Sequence, residues 1–260
     1  MTLFCKEDWK ETLNKQQLAS FDAIWSLPIH WIDAPNDNRG GWSGVGQIEI
    51  MHRDQVTTLF VKKQLNHITR TWRHPIVGEL TFKNEFRMFQ HLHSHKMAVP
   101  TVVFFAERHV PEGRQAILVT EKLFGFQSLD VVNHQSMQLK AKRKLLISVA
   151  ETISRMHQLG IQHRALYSKH LFVREDDDNF EIAVIDLEKA RWMLMPRMQA
   201  ISDLITLNYR TIKWTKTSRL FFLLSYLKEN KLSVFSKRLL RKIVNGTMRK
   251  QKYWKQKYAE

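Results

Sequence analysis

Three side chains able to move a proton or hold a hard cation, His163, His170 and Asp186, fall in one stretch, Gly160 to Lys189 (GIQHRALYSKHLFVREDDDNFEIAVIDLEK). Leu171 to Val173 and Ile182 to Ile185 are short apolar runs rich in β-formers. Asp176 to Asn179 between them is turn chemistry, so the two runs predict a hairpin. A hairpin brings its ends together. It therefore sets His163 to His170 beside Asp186 with no other help from the fold.

A second set of residues lies upstream. Gly40, Gly41, Gly44 and Gly46 take four of the nine glycines within seven positions. A glycine-rich turn between strands lets backbone N–H groups approach phosphates closely, because no Cβ intervenes. Gln47 to Ile50 alternates like a strand, and Thr57 to Gln64 (TTLFVKKQ) predicts the next one. Side chains alternate across a strand, so Lys62 and Lys63 face opposite sides. Leu80 to His93 predicts an amphipathic helix with Phe82, Phe86, Phe89 and Leu92 on its buried stripe. Glu85 falls among them. An unpaired buried carboxylate is very costly, so it needs a cation, and Lys62 is the natural one. Glu79 is the weaker candidate, because it precedes the helix. The RTWRHP loop, Arg70 to Pro75, reads as an acceptor or phosphate contact or as plain surface.

The order of these pieces resembles the catalytic site of protein kinases: glycine loop, strand lysine, helix glutamate, H-R-D-L-x-x-x-N, hairpin, D-F-G. Here the loop reads His163-Arg164-Ala165-Leu166-Tyr167-Ser168-Lys169-His170, and the last motif is Asp186-Leu187-Glu188. Ala165 stands where the catalytic aspartate should be, and His170 where the asparagine ligand should be. The Y-x-K-H-L-F-V and I-D-L-E-K-x-R strings are similar to those of the lipopolysaccharide kinase family, the heptose and Kdo kinases of Gram-negative bacteria. Its InaA-like branch is the closest match. The resemblance covers roughly residues 39 to 207. In that family histidine at the asparagine position is usual, while the active sugar kinases keep the aspartate.

The resemblance implies a two-lobed, protein-kinase-like α+β fold, with a strand-rich N-lobe, a helical C-lobe and the nucleotide in the cleft. It implies ATP and Mg²⁺ as cofactors, and a lipopolysaccharide precursor or other anionic sugar as acceptor. Lys62, Glu85, His163 and Asp186 are then the catalytic candidates. Gly44, Gly46, Lys62, Glu121 and Leu123 are the nucleotide-binding candidates, the last two through backbone groups offered to adenine. Asp186 and His170 are the metal candidates, with Glu188 as another way to complete the shell. Magnesium prefers oxygen ligands, so His170 reads first as a loop-ordering residue. Ala165 cannot accept a proton. His163 is the fallback base, although in kinases the residue at that position packs inward.

The remaining elements position these groups. Thr101 to Ala106 and Ala116 to Thr120 predict a strand pair. Ser128 predicts the N-cap of a short helix at Leu129 to Val132. Lys140 to Leu159 predicts a long helix with Leu145, Val149, Ile153 and Met156 buried, ended by Gly160 at C′. Asp203 reads either as a buried carboxylate that ties down the catalytic loop or as a surface residue of a later helix.

The chain carries 41 Lys/Arg against 25 Asp/Glu, a formal net charge of +16. The excess is uneven: residues 209–260 hold 15 basic and two acidic residues, and the 208 residues before them carry only +3. Aromatic and aliphatic residues interleave with the Lys and Arg of this segment, which suits basic amphipathic helices at an anionic membrane surface. The bland readings are a solvated face on packed helices and a disordered tail after about Asn245. The expected division is 1–120 as small lobe with a flanking helix, 121–208 as catalytic-like lobe, and 209–260 as basic amphipathic segment. Cys5 is the single cysteine, so no internal disulfide forms. MTLFCKEDWKE has no apolar h-region, so no signal peptide is expected, and Leu220 to Leu227 is far short of the about 20 residues a spanning helix needs. A cytoplasmic protein, or one bound to the inner face of the inner membrane, is the expectation. Three function classes follow: a sugar kinase, a pseudokinase regulating an envelope or stress response, and a nucleic-acid-binding protein. Ala165 leans towards the second, and the family resemblance towards the first. The third ranks last, because a pI of about 10.0 explains the basic segment but not the ordered run of motifs.

Overall fold

The computed structural model describes residues 2–38, 40–70, 76–133, 136–177, 179–211 and 213–257. They form two compact units. The first comprises Met1–His95, Val99–Phe124 and Leu187–Lys189; the second comprises Lys96–Ala98, Gly125–Asp186 and Ala190–Glu260.

The first unit runs β1 (Thr2–Cys5), α1 (Glu7–Lys15), α2 (Phe21–Ser26), β2 (His30–Asn38), β3 (Gly41–His52), β4 (Gln55–Leu65), β5 (Ile68–Thr69), β6 (Glu79–Leu80), α3 (Thr81–Ser94), β7 (Val102–Val110) and β8 (Gly113–Glu121). Six strands make one antiparallel sheet in the order β1-β7-β8-β4-β3-β2. Strand alternation gives that sheet two apolar faces. On one, Leu59 and Val61 of β4 join Ile50, Ile117 and Val119 against Trp9, Leu13, Phe21 and Ile24 of α1 and α2. On the other, α3 packs over β7 and β8, with Phe86 and Phe105 stacked at 4.4 Å. Met88 joins the expected stripe of Phe82, Phe89 and Leu92 in burial, whereas Phe86 is half-buried. Lys62 lies one position from Val61 and so projects on the α3 face.

The second unit contains β9 (Gln127–Ser128), α4 (Leu139–Gln158), β10 (Ile161–Gln162), β11 (Leu171–Asp176), β12 (Asn179–Val184), β13 (Arg191–Trp192), α5 (Pro196–Arg210), α6 (Lys216–Leu227) and α7 (Val234–Lys257). The apolar stripe of α4, including Leu145, Val149, Ile153 and Met156, is buried, and α4 packs against β12 and α6. Gly160 follows at φ +79°, the left-handed turn-off that glycine makes at little cost. β11 and β12 form the hairpin, from Leu171↔Val184 to Asp176↔Asn179; Asp178 at its turn lies outside the described residues. Ser128 does not cap a helix. It ends β9, which pairs with β11 at Phe172, and its hydroxyl donates to the Lys169 carbonyl at 3.2 Å. The backbone needs of the hairpin edge win over the local capping signal.

α6 opens on a Thr215 N-cap whose side chain accepts from Ser218 N. α7 continues past Asn245 to Lys257 and buries Ser236, Leu239, Ile243 and Thr247. It runs close along α5, because Gly246 has no Cβ: one there would sit 2.4 Å from Ile205 Cδ1. Among the described residues no helix is long and apolar enough to cross a membrane.

Candidate functional site

In the first unit the centre is Lys62. Its Nζ donates to both Glu85 carboxylate oxygens at 2.8 Å. Glu85 is fully buried, and its Oε1 also accepts from Leu187 N at 3.2 Å. Asn84, its neighbour on α3, donates to the Glu188 carbonyl at 3.2 Å. The residues just after Asp186 are therefore tied to the same turn of α3 that holds the lysine. Lys63 points to the opposite sheet face and donates to the Trp25 and Leu27 carbonyls at 2.8 Å, and burial holds its amine below the usual lysine range. Glu79 pairs with Arg87 instead of Lys62.

Gly44 and Gly46 do not lie in a turn. They sit inside β3, opposite Lys63 and Val61 of β4. Their missing Cβ atoms make room for packing: one at Gly44 would lie 2.7 Å from the Trp31 ring, and one at Gly46 would lie 2.8 Å from the His30 carbonyl. The turn between β2 and β3 is formed around Gly40, at φ +79°; Arg39 there lies outside the described residues. So do residues 71–75, most of the RTWRHP loop. Glu121 ends β8. Its carboxylate accepts from Trp9 Nε1 at 2.7 Å and its N–H donates to the Thr101 carbonyl at 2.9 Å. Leu123 follows, half-buried.

In the second unit the loop after β10 hangs on Asp203 of α5. That carboxylate is fully buried and accepts from His163 N at 2.7 Å and Arg164 N at 2.9 Å. It also faces His157 Nε2 at 3.3 Å. Of the two readings of Asp203, the geometry is the buried tie. Arg164 is held at φ +65°, a strained region for a non-glycine residue, so the loop needs such anchoring.

His163 is fully buried, and its Nε2 lies 3.1 Å from the Ile185 carbonyl. A carbonyl only accepts, so Nε2 carries the proton. Nδ1 is then the bare nitrogen, and it is buried without a partner among the described residues. Burial lowers the pKa of the ring. Both nitrogens of this imidazole are thus sealed from solvent. It ties the loop to the end of the hairpin.

Ala165 is 2% exposed, and its carbonyl accepts from His170 Nδ1 at 2.8 Å. That leaves His170 Nε2 facing Asp186 Oδ2 at 3.1 Å. Burial, opposed by the Asp186 charge, pushes the His170 pKa down to about 4. At neutral pH the bare Nε2 and the carboxylate oxygen are two electron-rich atoms facing each other. A shared cation would relieve that contact. Asp186 supplies the hard oxygen that Mg²⁺ prefers, and a nucleotide-bound Mg²⁺ takes its remaining ligands from phosphate and water. The donor set would give such an ion two of its six ligands. Among the described residues no group of three or more His, Cys, Asp or Glu is placed to hold a metal. Asp186 itself sits at φ +58°.

Asn84 and His157 carried no readable signal in the sequence. Both are polar residues on apolar helix stripes, and only burial reveals that they must be bonded.

Residues 22–226 match the family described as the lipopolysaccharide kinase (Kdo/WaaP) family. The chain is similar to protein InaA of Escherichia coli K12, at 29% identity over 177 residues, which cover 66% of this chain and 78% of that protein. It is similar to the lipopolysaccharide core heptose(I) kinase WaaP of Pseudomonas aeruginosa, at 29% identity over 166 residues. That alignment covers 59% of this chain and 61% of the relative, less than two thirds of its length. A solved structure of WaaP in complex with acyl carrier protein superposes with a TM-score of 0.72 at 23% identity, covering 97% of this chain and 99% of that one. The fold is therefore the kinase-like α+β fold of WaaP.

Proposed function

This chain belongs to the lipopolysaccharide kinase (Kdo/WaaP) family, and from that premise we propose that it binds Mg-ATP and phosphorylates a Kdo or heptose sugar of lipopolysaccharide core. The observation that carries the reading is the Lys62–Glu85 pair, with Leu187 N on the same carboxylate. Such a pair costs several kcal/mol to desolvate. The two hydrogen bonds of the pair offset part of that cost, and the lysine head stays 17% exposed beside a sealed Glu85, open to a phosphate. Lys62 would hold the α/β-phosphates, and Glu85 would hold Lys62. Asp186, with His170 behind it, would hold the metal, which supplies charge neutralisation on the β/γ-phosphates. Glu121 and Leu123 would offer backbone groups to adenine. Gly44 and Gly46 would act at one remove, by shaping the strand that follows the Gly40 turn.

Ala165 favours a second reading, a pseudokinase that binds nucleotide and regulates an envelope or stress response. Proton abstraction is typically worth about 10²–10⁴-fold in rate. The test is transfer of the ATP γ-phosphate to dephosphorylated lipopolysaccharide core by the parent and by Ala165→Asp. A slow parent rate that rises about 10²-fold or more in the variant supports the kinase. No transfer by either protein, with nucleotide still bound, leaves the regulator.

The solvent face of α7 supports a peripheral hold on the inner membrane. Lys237, Arg238, Arg241, Lys242, Arg249 and Lys252 are all exposed on it. Removing residues 209–260 would not test this cleanly, because α6 and α7 bury Phe222, Leu223, Leu239 and Ile243. Neutralising Arg238, Arg241, Lys242 and Arg249 to Gln keeps that packing. At about 1 kcal/mol per basic residue, binding to anionic phospholipid vesicles is expected to weaken about 10²-fold or more. Undiminished binding, or salt-dependent binding to RNA but not to vesicles, would overturn the membrane reading.

A further inference from the structure

The loop chemistry described above makes no use of Tyr226, yet its hydroxyl lies 2.8 Å from His157 Nδ1. Tyr226 is on α6, within the basic segment, and His157 is on α4. Their rings meet edge-on, 5.8 Å apart at 77°. The other nitrogen of His157, Nε2, faces Asp203 Oδ2 at 3.3 Å. A carboxylate only accepts, so Nε2 carries a proton. In a neutral ring that leaves Nδ1 bare, and the hydrogen between Nδ1 and the phenol oxygen is the phenol's own. Burial, with the Asp203 charge, pushes the Tyr226 phenol up to about 12, so it keeps that hydrogen at neutral pH.

We propose that Tyr226 is a positioning residue for the loop: its O–H holds the His157 ring with Nε2–H turned to Asp203, and His157 so held fixes the carboxylate that accepts the His163 and Arg164 amides. The opposite tautomer would turn a bare nitrogen towards Asp203 and push the carboxylate away. Phenylalanine at 226 would leave Nδ1 without its donor, and the ring would then be held only by its 3.3 Å contact with Asp203. The helix that begins the basic segment thus carries the outermost tie of the loop, where Arg164 is held at φ +65°. This inference rests on the hydrogen bonds of the loop, not on phosphate transfer or membrane binding, so its test stands apart from theirs.

The test uses the full chain as parent, Tyr226→Phe, His157→Gln and the double variant. ¹⁵N NMR reads the tautomer of His157, and hydrogen exchange reads the His163 and Arg164 amides. The parent is expected to show His157 protonated at Nε2 and bare at Nδ1. Tyr226→Phe is expected to shift the His157 Nδ1 resonance as its hydrogen bond is lost, and to speed exchange at His163 and Arg164 about fivefold to tenfold, the size of one hydrogen bond. The α4 amides of Leu145, Val149 and Ile153 should keep their protection. Adding Tyr226→Phe to His157→Gln should change nothing further, because the two act as one path. An Nδ1–H or doubly protonated ring in the parent would overturn the proposal. So would unchanged exchange at the two loop amides in Tyr226→Phe, or an equal rise throughout α4, which would mark a merely structural role.

Discussion

Lys62→Met is expected to destabilise the first unit by about 3–5 kcal/mol, because it leaves a fully buried carboxylate without its cation. Leu187 N would remain as a neutral donor to Glu85, which is not enough to hold a buried charge. Nucleotide affinity should fall with it. A charge-assisted hydrogen bond is worth about 1.5–3 kcal/mol, so Mg-ATP should bind about 10- to 100-fold more weakly. Lys63→Met is the control. It strands the Trp25 and Leu27 carbonyls, at about 1–3 kcal/mol, on the sheet face opposite Lys62, and should leave Mg-ATP affinity within about threefold. The double variant Lys62→Met/Glu85→Gln separates stability from binding. A neutral amide removes the stranded charge and its oxygen still accepts from Leu187 N, so most of the stability should return while the affinity stays low. Urea unfolding and calorimetric titration read the two quantities. Equal loss of affinity in Lys62→Met and Lys63→Met would remove the lysine from the nucleotide site.

Much of this geometry was legible in the sequence because it follows from periodicity. The turn chemistry at Asp176 to Asn179 set the β11–β12 hairpin, and the hairpin alone brought His170 within 3.1 Å of Asp186. The spacing of Phe82, Phe89 and Leu92 turned Glu85 inward, and strand alternation sent Lys62 and Lys63 to opposite faces. The glycines were misread for a physical reason. Close approach explains a glycine beside a phosphate and a glycine beside a tryptophan ring equally well, and only the partner tells them apart. Gly44 meets Trp31. Ser128 was misread because a local cap signal competes with strand pairing, and pairing with β11 won. Asp203 was ambiguous because a carboxylate early in a helix suits solvent as well as it suits a loop. Its three partners come from residues about 40 and more positions away, which no local pattern encodes. Tyr226 and His157 were invisible for the same reason.

The central claim, a working Mg-nucleotide site built on Asp186, is tested most directly by unfolding the parent and Asp186→Asn with Mg-ATP, with ATP and EDTA, and with neither. Asparagine is the right substitution here. Asp186 lies at φ +58°, a left-handed conformation that asparagine tolerates and alanine does not. The change therefore removes the charge without adding backbone strain. Ligand at a hundredfold excess over its Kd adds about 2.7 kcal/mol of stability. The account predicts that gain for the parent with Mg-ATP, little of it when EDTA removes the metal, and none in Asp186→Asn. A parent that gains nothing from Mg-ATP, or an Asp186→Asn protein that gains as much as the parent, would contradict it.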